Sequence, residues 1–315
     1  MERKQRTIKT SQSCQGVGLH TGVKSVITFH PAPENYGIRF IRSDIKNCTE
    51  IKADIDHVVD ISRGTTIEEN DVRIHTVEHA LAAVSGLRLD NILIELTSKE
   101  PPVMDGSAKD FVECLIKAGI QVQAEERKIL EITTAVNYTN PYRDIDIHVI
   151  PSDRFRITFM VEYNLPALGT QYEAIYNMEE DFAFEVAPAR TFCFLSEVEM
   201  LKEQGLIKGG ALDNAVVIID KEIDSMEMQR LKNLFGIEKN IIEGANGILN
   251  GKLLRFKNEP VRHKTLDLIG DLALLGVPIK GHVTAARAGH ASNVEFVKKL
   301  KKQYSKELSG MLNNE

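Results

Sequence analysis

The apolar residues of this chain come in two kinds of run: short stretches rich in β-branched or aromatic residues and bounded by turn formers, and longer stretches with helical spacing. Runs at 7–9, 23–30 and 37–41 are of the first kind and predict strands. The loop Gly16-Val17-Gly18-Leu19-His20-Thr21-Gly22 joins the first two. It is not a dinucleotide fingerprint, because the third glycine is misplaced and a strand follows it. His20 in that loop either faces a ligand or bonds to backbone. Residues 74–86, rich in alanine, predict a helix stopped at Gly86. A strand at 91–96, a turn at 100–107 and a helix at 108–119 follow, and the polar segment 122–128 reads as the link between two halves.

Strands resume at 129–136, 144–150 and 155–163, the middle one with strict alternation, and 170–177 and 181–185 resemble them. A short helix at 196–204, a glycine-rich loop and a strand at 215–219 come next. Residues 260–275 predict a helix with Pro260 in its first turn and Leu266, Leu268, Ile269 and Leu272 on its apolar side. A strand at 279–284, a loop at 286–291 and a helix at 292–304 complete the order, and the tail 309–315 is expected to fray. Each half thus runs strands, a histidine-bearing helix, then a strand, a weak internal echo.

The helix at 260–275 changes the picture. His263, Asp267 and Asp271 recur at intervals of four and so share one helical face. An imidazole and a carboxylate one turn apart can bind one metal ion. The plain alternative is a solvated, charged face. A third ligand is at hand in His79, giving two histidines and one carboxylate, a set that suits zinc and also Fe(II). Glu78, beside His79, can take a proton from water. His290, in a glycine-flanked loop, can carry positive charge to an oxyanion or leaving amine, with Asp271 orienting it. His75, four before His79, is either a further ligand or a packed histidine.

Composition narrows the class. The chain has 315 residues, 43% hydrophobic and 27% charged, with a formal charge of −6. Those values fit a soluble globular protein of one large or two ordinary domains and argue against a general nucleic-acid binder. The four cysteines, Cys14, Cys48, Cys114 and Cys193, are scattered and suit a reducing compartment. The charged N-terminus lacks an apolar signal core, and no apolar run approaches a membrane span. The expected location is cytoplasmic, with room for contact at a membrane surface.

A set of short motifs then occurs in order: the loop 16–22, Thr76-Val77-Glu78-His79, Met104-Asp105-Gly106-Ser107-Ala108, Ala189-Arg190-Thr191-Phe192, Gly209-Gly210-x-Leu212-Asp213-Asn214-Ala215, Val261-Arg262-His263-Lys264-x-x-Asp267-x-x-Gly270-Asp271 and Gly289-His290. Together they resemble the UDP-3-O-acyl-N-acetylglucosamine deacetylase family, zinc amidases of the lipid A pathway. The resemblance implies an α+β fold of two similar domains, each a mainly antiparallel sheet layered with helices, with the active site between them. The expected domains are 1–124 and 129–305, with a tail at 306–315. A small insert is expected near 43–62, and one shaping an acyl passage near 194–222. The resemblance further implies Zn2+ held by His79, His263 and Asp267, Glu78 as general base, and His290 as the cationic partner with Asp271 as its orienter. It implies Thr191 as a hydroxyl polarising the amide oxygen, and Lys264 and Phe192 as contacts to the sugar. It leaves His75 a bystander. The substrate it implies is a UDP-acyl-amino-sugar, and the expected assembly is a monomer.

Three other readings stand beside this one. The first is a zinc deacetylase of another acylated amino sugar. The second is a non-catalytic binding protein that kept the fold, against which the intact set of acidic and histidine residues argues. In the third, the lysine-rich final helix and tail begin a linker to a downstream acyl-carrier-protein dehydratase, as in fused members of the family.

Overall fold

The computed structural model describes residues 4–62, 64–163, 165, 168–211, 214–221, 223–235, 247–249 and 253–312. Leu212 and Asp213 of the glycine-rich motif, residue 222 of the expected insert, residues 236–246 and residues 313–315 of the expected tail lie outside them.

Two five-stranded sheets organise the chain. The first contains β1 (Gln12–Val17), β2 (Lys24–Pro31), β3 (Ile38–Arg42), β4 (Ile51–Lys52) and β5 (Ile92–Leu96), in the order β1-β2-β5-β3-β4. Helix α1 (Glu78–Gly86) precedes β5, and α2 (Lys109–Ala118) follows it. The second sheet contains β6 (Val136–Asn140), β7 (Ile145–Ile150), β8 (Arg156–Glu162), β9 (Thr170–Ile175) and β10 (His282–Ala286), in the order β6-β7-β10-β8-β9. Helix α3 (Glu259–Ala273) precedes β10, and α4 (His290–Gln303) follows it. In each sheet every neighbouring pair is antiparallel except one, β5 with β3 in the first and β10 with β8 in the second. The weak echo in the sequence is a repeat in the fold, and the class is α+β as the resemblance implied.

Period-two burial makes these sheets one-sided. Ser25, Ile27 and Phe29 of β2, and Ile157, Phe159 and Val161 of β8, point into the core while their neighbours do not. Helices cover the inner faces, and one apolar core runs through both halves, with Phe29, Phe111, Phe159 and Phe296 fully buried in it.

The halves meet where α1 packs on α3. Nearly every residue of α1 is buried, and Ala80, Ala82 and Ala83 keep it thin. Gly270 of α3 completes the close approach: a Cβ there would stand 2.1 Å from the backbone oxygen of Glu78. Only a glycine lets the two backbones come that near.

Several elements differ from the sequence expectations. The helix expected at 74–86 begins at Glu78, because Val72–Ile74 is a strand and Thr76 is left-handed at φ 55°. That strand belongs to a three-stranded sheet with Val58–Asp60 and Thr66–Glu69. The polar segment read as a link is largely a strand, Ile120–Glu126, paired antiparallel with Lys4–Ile8; its polarity reflects its exposure. Residues expected as a strand at 181–185 are helical, since Phe182 and Val186, four apart, are both fully buried. The tail forms helix α5 (Ser305–Leu312) as far as it is described, anchored by the buried Leu308. Within the expected acyl-passage segment, Phe192–Phe194 and Val216–Ile218 pair in parallel, with the helix Leu195–Glu203 between them. No described helix is long and apolar enough to cross a membrane.

Candidate active site

Glu78 and His79 form the first turn of α1, and His263, Asp267 and Asp271 line the buried face of α3. The helix contact at Gly270 therefore brings the two groups together. His79 Nε2 lies 3.7 Å and His263 Nε2 3.5 Å from Asp267 Oδ1. The imidazole rings stand edge to face, 5.0 Å between centroids. Among the described residues, His79, His263 and Asp267 are the group able to hold a metal ion, with ligand atoms all within 4.8 Å of one another.

The donors fit a divalent metal. Asp267 Oδ1 is buried and accepts no hydrogen bond among the described residues. A carboxylate oxygen left so in the interior is costly unless a cation meets it. His263 Nδ1 lies 3.1 Å from the carbonyl oxygen of Ala189, which can only accept. Nδ1 therefore carries the proton, and the Nε2 lone pair faces Asp267. Burial, reinforced by the neighbouring His263, drives the His79 pKa down to about 3, and burial lowers that of His263. Both rings are neutral and able to ligate. Burial pushes the Asp267 carboxyl up, but His263, Lys264 and His290 outweigh it and hold the group ionised, below the ordinary range. Two imidazoles and a carboxylate leave coordination positions open, as catalytic zinc sites do.

Around this triad sit the Glu78 carboxyl, the His290 ring and the groups that hold them. Burial raises the Glu78 carboxyl to about 7, against the pull of His290. Glu78 Oε2 accepts the Thr65 amide at 2.9 Å, and Oε1 lies 3.8 Å from His290 Nε2. Gly64, at φ 139°, leaves room for that carboxylate: a Cβ there would sit 2.6 Å from Oε1. His290 opens α4 instead of lying in the loop before it, and its Nδ1 donates to Asp271 Oδ2 at 2.8 Å. Burial favours the neutral ring, but Asp271 and Asp267 outweigh it and lift His290 to about 10, so it is cationic. Asp271 is fully buried. It also accepts from Thr65 Oγ1 at 2.6 Å and Asn293 Nδ2 at 2.8 Å.

Lys264 Nζ reaches Asp267 Oδ2 at 3.1 Å and lies 5.8 Å over the Phe192 ring. Thr191 and Phe192 line a cavity of about 360 Å³ with His20, Val198, Leu201 and Val217. A larger cavity, about 440 Å³, opens beside Ile269 and Leu272 of α3 and is lined by none of these site residues. The donor set, and not cavity size, locates the chemistry. His75 stays outside the triad, bonded to Thr66 Oγ1 at 3.1 Å. Thr65, Asn293 and the Ala189 carbonyl escaped the sequence reading; they are ordinary residue types whose partners are remote in the chain.

The family model for UDP-3-O-acyl N-acetylglycosamine deacetylase (LpxC) matches residues 5–236 and 219–302. The chain belongs to this deacetylase family. It is 53% identical to the "Bifunctional enzyme LpxC/FabZ" of Chlorobaculum tepidum, a match covering 95% of this chain and 64% of that protein. It is 40% identical to the UDP-3-O-acyl-N-acetylglucosamine deacetylase of Thermodesulfovibrio yellowstonii, over 94% of this chain and 91% of that protein. With the deacetylase of Chlamydia pneumoniae it shares 39% identity, over 95% and 98% of the two chains. The chain spans just under two thirds of the length of the bifunctional relatives, 64% to 65%.

Proposed function

We propose that this protein hydrolyses the N-acetyl group of a UDP-3-O-(hydroxyacyl)-N-acetylglucosamine, releasing acetate and the free amine in the committed step of lipid A synthesis. The observation that carries this reading is the convergence of His79, His263 and Asp267 on one buried point beside Glu78 and His290. A zinc ion bound there would act as a Lewis acid toward the acetamide carbonyl and bring the pKa of a water down to roughly 7.

The chain's own residues do the rest. Glu78 takes the water's proton at Oε1, its other oxygen being held by Thr65. The cationic His290, aimed by Asp271, donates through Nε2 to the developing oxyanion and then to the leaving amine. Thr191 adds its hydroxyl at the amide oxygen, and Lys264 and Phe192 contact the sugar. The acyl chain runs into the apolar cavity beside Phe192 and Val198, where its burial supplies binding energy remote from the reacting bond. In this reading residues 1–124 and 129–305 are the two domains. The protein works as a cytoplasmic monomer, touching the membrane surface through its acylated substrate.

The 53% identity to a bifunctional relative favours a second reading, in which this chain is the deacetylase part of a longer protein. The genomic reading frame decides it.

The assay for activity is acetate release from UDP-3-O-acyl-N-acetylglucosamine by purified, zinc-loaded protein. Release that chelation stops and zinc restores is the expected result. A zinc-loaded protein inert on this substrate but active on another acylated amino sugar would keep the metal centre and discard the substrate.

A further inference from the structure

Arg190 and Glu259 form an ion pair buried to 4% and 1% exposure, 69 residues apart in sequence. Glu259 Oε1 accepts the Arg190 backbone N–H at 3.0 Å and Nε at 2.8 Å. Its Oε2 accepts Arg190 Nη2 at 3.0 Å and the Arg255 backbone N–H at 2.7 Å. Arg190 Nη2 also donates to the Leu253 carbonyl at 2.9 Å. A buried pair of this kind is a weak source of stability, since well-packed apolar residues of similar volume often serve as well. Its geometry points to another use.

The peptide group between Ala189 and Arg190 is gripped from both sides by one helix. Its N–H goes to Glu259 in the first turn of α3, and its C=O receives the Nδ1 proton of His263 one turn later. Tilting that peptide would turn the Ala189 carbonyl away from His263. The ring would then lose the bond that sets its tautomer and aims Nε2 at Asp267. We infer that Arg190 and Glu259 are positioning residues for the metal site: by fixing the Ala189–Arg190 peptide plane they hold the His263 imidazole in its ligating orientation. This rests on His263 being a metal ligand.

The test is the zinc dissociation constant by chelator competition, with apoprotein unfolding midpoints, for wild type, Glu259→Gln, Arg190→Lys and a control, Arg127→Lys. Arg127 pairs with Asp90 at 2.6 Å, outside the site. Glu259→Gln and Arg190→Lys are expected to weaken zinc about 10-fold or more, as loss of a ligand's outer partner does. The control loses melting temperature without losing zinc affinity. Arg190→Lys keeps charge and bulk but not the two-pronged fork, and it carries the test if Glu259→Gln does not fold. Wild-type zinc affinity in the folded variants, or equal weakening in the control, overturns the inference. A wild type that binds no zinc overturns the metal-site reading instead.

Discussion

The sheets β1-β2-β5-β3-β4 and β6-β7-β10-β8-β9 share order, strand directions and flanking helices, yet the two halves divide the chemistry unequally. The first half brings Glu78 and His79 on one helical turn. The second brings His263, Asp267 and Asp271 on α3 and His290 at the start of α4. In sequence the halves look more alike than they are, because His75 and His79 are four apart, as are His263 and Asp267. Thr76 breaks that symmetry: its left-handed backbone starts α1 after His75, which turns toward Thr66 instead. A duplicated scaffold therefore supplies two helices that cross at one point, and the residues at the crossing, not the repeat itself, make the site.

The largest effect that would sharpen this division belongs to the first half. Glu78→Gln should retain zinc and lower turnover by about 10²–10⁴-fold, the usual share of a general base. Full turnover in this variant would move the base to another residue. Next is the crossing. Gly270→Ala places a methyl against the Glu78 backbone oxygen and should destabilise the fold by about 1–3 kcal/mol, as overpacking does, and lower zinc affinity with it. An unchanged melting temperature and zinc affinity would mean that the helices do not meet there.

A third effect depends on pH. Burial pushes the Glu259 carboxyl up, but hydrogen bonds from Arg190 and the Arg255 backbone outweigh it and hold the group below its ordinary value. A carboxylate with a depressed folded pKa contributes stability above its unfolded value and loses it as pH falls through the folded one. The deficit in melting temperature of Glu259→Gln should therefore be greatest at neutral pH and shrink below pH 4.5. A deficit constant into acid would show that its charge is irrelevant. The smallest effect tests the false symmetry. His75→Ala should cost about 1 kcal/mol or less, the worth of one hydrogen bond, and leave zinc content and turnover unchanged. Loss of zinc would restore His75 as a ligand.

Much of this was legible in the chain. The α3 face could be read because His263, Asp267 and Asp271 share one helix, where spacing is geometry. The tail helix was missed because it rests on tertiary burial of Leu308, and the polar strand Ile120–Glu126 because it is an exposed ribbon. Thr65, Asn293 and Glu259 were invisible for a different reason, and the motif that contains Arg190 does not show its partner. Their roles lie in partners distant in sequence, Asp271 for Thr65 and Asn293 and Arg190 for Glu259, which local spacing does not show. Local spacing reveals a site's ligands when they share an element; it does not reveal what aims them.

The most direct test of the account is a crystal of the zinc-loaded protein measured on both sides of the zinc absorption edge. The account predicts one anomalous peak per chain, coordinated by His79, His263 and Asp267, with Glu78 and His290 beside it but not ligating. No peak at the crossing of α1 and α3, or a peak there coordinated by a different set, would contradict it.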